Sequence, residues 1–91
     1  MKETYRIYAH TRTDGYELIS QRQNDAVALK LVRNMIYSNE DYVSYLIIAH
    51  NESYDYPYGL FHRDERSLEE IEHLLADIKE NNEGQSLRRK R

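Results

Sequence analysis

The stretch Tyr42-Val43-Ser44-Tyr45-Leu46-Ile47-Ile48-Ala49-His50-Asn51 decides the fold. In an extended chain Val43, Tyr45, Ile47 and Ala49 line one face, and Leu46 and Ile48 lie on the other. Both faces are apolar in the middle, which predicts a strand at the centre of a sheet. The apolar run is far shorter than the roughly 20 residues a membrane helix needs.

Forty residues earlier, Tyr5-Arg6-Ile7-Tyr8-Ala9-His10 matches Tyr45-Leu46-Ile47-Ile48-Ala49-His50 at four of six positions. The match reads either as an internal repeat or as shared strand chemistry. Thr4 to Thr11 alternates as a half-buried strand, with Tyr5, Ile7 and Ala9 opposed to Arg6, Tyr8 and His10. Thr13-Asp14-Gly15 is a turn signal, and Tyr16 to Arg22 returns as a second strand. Asn24 or Asp25 caps a helix from Ala26 to about Tyr37, with Ala28, Leu31, Val32, Met35 and Ile36 at helical spacing. Ser38-Asn39-Glu40-Asp41 breaks that pattern.

After the central strand, Glu52 to Pro57 reads as a loop and Tyr58 to Arg63 as a short edge strand. Ser67-Leu68-Glu69-Glu70 fits a capping box opening a last helix. Leu68, Ile71, Leu74, Leu75 and Ile78 form its apolar stripe, and Asn81 to Gly84 should end it. The expected fold class is α+β: a two-layer sandwich with a mostly antiparallel sheet of three or four strands and two helices on one face, in the order ββαβ(β)α. One domain should span 1–83, followed by a flexible basic tail at 84–91.

The chain has 91 residues, a size for one small core. It has no cysteine, so neither a disulfide framework nor a thiolate metal site can form. The segment Met1-Lys2-Glu3-Thr4-Tyr5 lacks the layout of a signal peptide, and the expected location is cytoplasmic. Mean hydropathy is -0.92, and Tyr is 9 against Phe 1 and Trp 0, so tyrosines must supply part of the core. The net charge is -3, unevenly spread. Residues 64–83 carry Arg66 and Lys79 against eight carboxylates, whereas 84–91 carry Arg88, Arg89, Lys90 and Arg91 and no carboxylate.

Catalytic signatures are missing from the sequence. There is no GxSxG, no HExxH and no glycine-rich phosphate loop. His10, His50 and His62 fall at strand ends, where exposed histidines are ordinary, and His73 lies opposite the apolar stripe of its helix. Asp64-Glu65 and Glu69-Glu70 sit where a helix start favours acidic side chains. The expectation is a protein without catalytic residues, metal or cofactor.

The segment Tyr54-Asp55-Tyr56-Pro57-Tyr58-Gly59-Leu60-Phe61 places four aromatics in eight residues. Rigid aromatics in a loop suit either a binding hot spot or the roof of a small core. Tyr54, Tyr56, Tyr58, Phe61 and the strand residue Tyr8 are therefore the candidate partner contacts. The acidic last helix reads either as a solvated outer face, which any amphipathic helix has, or as a charge pattern for a basic partner. The functional expectation is a non-enzymatic protein-interaction module, a regulator or inhibitor of a larger cytoplasmic protein, with self-association also open. The alternative is a nucleic-acid-binding module, with strand tyrosines stacking bases and Arg88, Arg89, Lys90 and Arg91 holding phosphates.

Overall fold

A strand that alternates Tyr5, Ile7 and Ala9 with Arg6, Tyr8 and His10 has one face to bury, and helices are what cover it. The computed structural model describes residues 3–38 and 41–89, with side chains described as far as residue 81. The elements are β1 (Thr4–Thr11), β2 (Gly15–Arg22), α1 (Asp25–Ser38), β3 (Tyr42–His50), β4 (Asp55–His62) and α2 (Glu65–Arg89). The four strands form one antiparallel sheet in the order β2-β1-β3-β4, and both helices pack into a single core. This is the α+β arrangement that the alternation implies, with β3 central and β4 at an edge.

The core is built from β1 and β3. Ile7, Ala9, Tyr45, Ile47 and Ala49 are fully buried, under Ala28, Leu29 and Val32 of α1 and Ile71 of α2. The pairing of the two central strands has a symmetry. Ile7 stands opposite Ile47, Tyr5 opposite Ala49, and Ala9 opposite Tyr45. The two similar hexapeptides are thus related by a local two-fold through the Ile7–Ile47 pair, normal to the sheet. The hairpins obey it too. The β1–β2 pairing slips between Ile7 and Tyr8, and the β3–β4 pairing slips between Ile47 and Ile48. Each slip leaves one extra residue on the outer strand, Ile19 on β2 and Tyr58 on β4.

The helix starts follow the same rule, forty residues apart. Asn24 Oδ1 accepts from the Val27 N–H at 3.2 Å, and Asp64 Oδ1 accepts from the Ser67 N–H at 2.8 Å. The second cap differs from the expected one. Asp64 is the capping residue and α2 begins at Glu65, two residues before Ser67. The Ser67 hydroxyl instead accepts from the His62 N–H at 2.8 Å, tying the helix start to the end of β4. Asp64 competes successfully for the cap because it holds a negative charge at the positive helix end. The Ser67 N–H bond accordingly lowers its carboxyl below the usual range.

The β4 strand also begins earlier than its sequence suggests, at Asp55 rather than Tyr58. Pro57 is tolerated because β4 is an edge strand whose outer side needs no donor. Phe61 folds back over Gly59, where an added Cβ would meet the ring at 2.6 Å. α2 continues to Arg89, past the expected stop. Of the basic segment 84–91, Lys90, Arg91 and the side chains of Arg88 and Arg89 lie outside the described residues. Among the described residues no helix is long and apolar enough to cross a membrane.

One feature of the core is costly. Among the described residues, the Tyr45 hydroxyl is buried without a hydrogen-bond partner, as is Nη1 of Arg63. Burial raises the Tyr45 phenol above its ordinary pKa, and the nearby Arg63 charge opposes the rise. An unsatisfied buried hydroxyl costs about 1–3 kcal/mol, whereas the ring itself fills the core. Tyr45→Phe is therefore expected to stabilise the protein by about 1 kcal/mol, read as a higher midpoint in urea denaturation.

Candidate interaction surface

Cross-strand partners in a sheet share a face, so the register maps the side that the helices leave open. Moving from β2 across to β4, one row reads Tyr16, His10, Ser44, His62. The next reads Leu18, Tyr8, Leu46, Leu60, and the third reads Gln21, Arg6, Ile48, Pro57. A solvated sheet face is normally polar. Here the second row is apolar from edge to edge, with Ile48 and Pro57 beside it. Leu18 is 54% exposed, Tyr16 48% and Leu60 46%, whereas Tyr8, Leu46 and Ile48 are half-buried by their neighbours.

The expected partner contacts divide. Tyr8 lies at the centre of the open face. Phe61 is fully buried against Tyr45 and offers no surface. Tyr56 and Tyr58 face the core side, which is how the aromatic segment roofs the sheet. The Tyr56 hydroxyl donates to Glu3 at 3.1 Å, the Tyr5 hydroxyl donates to the same carboxylate at 2.8 Å, and the Tyr58 hydroxyl donates to Asp25 at 3.2 Å. Tyr5 and Tyr58 meet edge to face at 5.4 Å. Tyr54 is 60% exposed in the β3–β4 turn, where Asn51 Oδ1 accepts from the N–H groups of Ser53 and Tyr54. Leu46 stands out in the sequence on the apolar second face of Tyr42–His50, whereas Leu18 and Leu60 join it only through the strand register.

This end of the sheet has a defined electrostatic response. Burial, followed by the adjoining carboxylates, pushes the Tyr5 and Tyr58 phenols well above their ordinary pKa. The phenol donors, Tyr5 first, hold the Glu3 carboxyl below its usual range.

The histidines do not assemble. His10 packs edge-on against Tyr16 at 4.7 Å. His50 Nδ1 and Asp55 Oδ1 form a hydrogen bond at the opposite corner of the open face, both well exposed. His62 lies beside a shallow cleft of about 470 Å³ at the end of the sheet, with Arg12, Tyr42, Val43 and Arg63. Among the described residues no three histidine or carboxylate side chains converge as metal ligands. Across the helix layer, Arg33 pairs with Glu72 at 2.9 Å on the surface.

Comparison with known proteins returned no matching family model, no matching curated protein and no matching solved structure.

Two outcomes follow from the tyrosine placement. Tyr58→Ala removes a ring packed on Tyr5 and is expected to cost about 3 kcal/mol, whereas Tyr54→Ala should stay within about 0.5 kcal/mol in the same denaturation assay. The raised phenols keep their protons in the folded state when the unfolded chain has lost them. Their contribution is complete below about pH 10 and is lost as pH rises beyond it. The melting temperature should therefore fall above about pH 10, and less steeply in Tyr58→Phe, which has no phenol to ionise at that position.

Proposed function

We propose that this chain is a non-enzymatic protein-binding domain whose partner docks on the open face of the sheet. One observation supports the reading above the others: the apolar row Leu18, Tyr8, Leu46, Leu60 across the uncovered face. Contiguous apolar surface rimmed by polar groups is how interaction sites differ from ordinary protein surface. Tyr8 and Tyr16 add broad rings that lose little entropy on contact. His10, His62 and the His50–Asp55 pair supply the polar rim, with Arg6 inside it beside Ile48. A domain of this kind acts through the protein surface it covers, as a regulator or inhibitor, and the cytoplasm is the compartment we assign to it.

The nucleic-acid alternative draws less support. Five of the nine tyrosines, Tyr5, Tyr42, Tyr45, Tyr56 and Tyr58, face the core side and are not available to stack on bases. The described open face holds one arginine, Arg6, where a phosphate-tracking surface needs several cations.

The test is capture of a partner from lysate of the source cell by the immobilised chain. Wild type is expected to retain a protein after nuclease treatment, Tyr37→Ala on the helix side should retain it equally, and Leu18→Lys/Leu60→Lys should lose it. Capture that survives the lysine pair places docking elsewhere, and capture abolished by nuclease favours nucleic acid.

A further inference from the structure

We propose that the partner on the open face is a second copy of this chain, docked sheet to sheet about a two-fold axis lying in the interface. The proposal rests on reading that face as a docking surface, and it names the occupant.

Charge comes first. A symmetric dimer sets a surface against itself, so like charges at its centre oppose it. Around the Ile7–Ile47 axis the open face presents Tyr8, Leu46, Ile48 and the stem of Arg6. Arg6 Nε donates to Gln21 Oε1 at 3.4 Å, which draws the guanidinium outward onto β2. Asp55 lies at a far corner, bonded to His50. Arg6 is the one charged side chain beside the axis, and the row Leu18, Tyr8, Leu46, Leu60 next to it carries no charge. That row has no single-sign field with which to select a charged partner, and nothing in it repels a copy of itself.

The sheet margins argue the same way. Side-by-side pairing would join strand edges. β4 carries Pro57 and the bulge at Tyr58 on one edge, and β2 carries the bulge at Ile19 on the other. Proline and bulges are the devices that blunt an edge. Association is thereby directed from the edges to the face.

Area is sufficient. Four strands at a spacing of about 4.8 Å and eight residues at a rise of about 3.3 Å span about 500 Å². Two such faces bury on the order of 1,000 Å², the lower bound for a specific interface.

Shape completes the case. Two copies carry the same twist, as aligned sheet packing at about −30° requires. The local two-fold normal to the sheet adds a further match. Combined with an in-plane axis it arranges the four ββα units in approximate 222 symmetry. With that axis along the strands, the row Leu18, Tyr8, Leu46, Leu60 of one copy meets the same row of the other, Leu18 against Leu60 and Tyr8 against Leu46.

Sedimentation equilibrium of the purified full chain tests the proposal, from about 1 to about 500 µM, the range over which a minimal interface titrates. Wild type is expected to move from 11.0 kDa to twice that mass with rising concentration. Leu18→Lys/Leu60→Lys should remain at 11.0 kDa throughout. Val27→Lys/Tyr37→Lys, at exposed helix-side positions, should dimerise like wild type. If the first pair does not melt cooperatively, Tyr16→Ala/Leu18→Ala replaces it. Wild type at 11.0 kDa at every concentration overturns the second-copy proposal and leaves the capture experiment to judge docking of another protein. A dimer dissociated by the helix-side pair and not by the sheet-side pair overturns it as well.

Discussion

Between β1 and β3, Ile7 faces Ile47, and both are fully buried beneath the helices. This non-local pairing joins segments forty residues apart, so it carries the largest loop-closure cost among the strand pairings. Its return is correspondingly large, since Tyr5, Ala9, Tyr45 and Ala49 are brought into the same layer. Small and large side chains alternate across the pair, Tyr5 against Ala49 and Ala9 against Tyr45. The alanines leave room for the rings and for close approach by the helices. Exchanging either alanine for a larger residue would overfill the layer that holds both halves together.

The two bulges give this arrangement its asymmetry. At equivalent places they add Ile19 to β2 and Tyr58 to β4. Ile19 packs as an aliphatic residue at one margin, while Tyr58 reaches Asp25 at the start of α1. Tyr5 and Tyr56 converge on Glu3 beside it. A chain with one phenylalanine and no tryptophan thus closes its core with tyrosines whose polar tips are satisfied by carboxylates at the margin. Tyr45 is the exception: among the described residues its hydroxyl has no such partner.

The fold was legible where the pattern of side chains was undisturbed. β1 alternates without interruption and β3 does so from Tyr45 onward, past a register shift at Val43, and their positions follow from the sequence to within a residue. β4 was harder to read because its bulge and Pro57 break the alternation. Asp55 to Pro57 consequently resembles a loop, although it pairs with His50 to Ile48. The α2 cap was misread because Ser67 satisfies a local motif that Asp64 satisfies with a charge besides. The candidate site was only partly legible. Tyr8 could be placed on a sheet face from alternation alone, but Tyr56, Tyr58 and Phe61 required the long-range register to show that they face the core side.

That register also alters the meaning of the apolar second face of β3. In isolation, Leu46 and Ile48 imply a strand covered on both sides, as in parallel sheets with helices above and below. The strand is central, yet both helices lie on one side of it. Its neighbours settle whether this is an accident of one strand. Leu46 lies between Tyr8 and Leu60, and Tyr8 lies beside Leu18, so the apolar pattern crosses all four strands. Nothing in the packing of the monomer requires that continuity, because the helix-side core is complete without it. An uncovered apolar row spanning a sheet favours association. The blunted edges disfavour pairing side by side, and in the proposed dimer two copies would meet face to face with the same twist along a row that carries no charge. In the proposed dimer, the residues that read as a strand buried on both sides would gain the second layer that one copy does not itself supply.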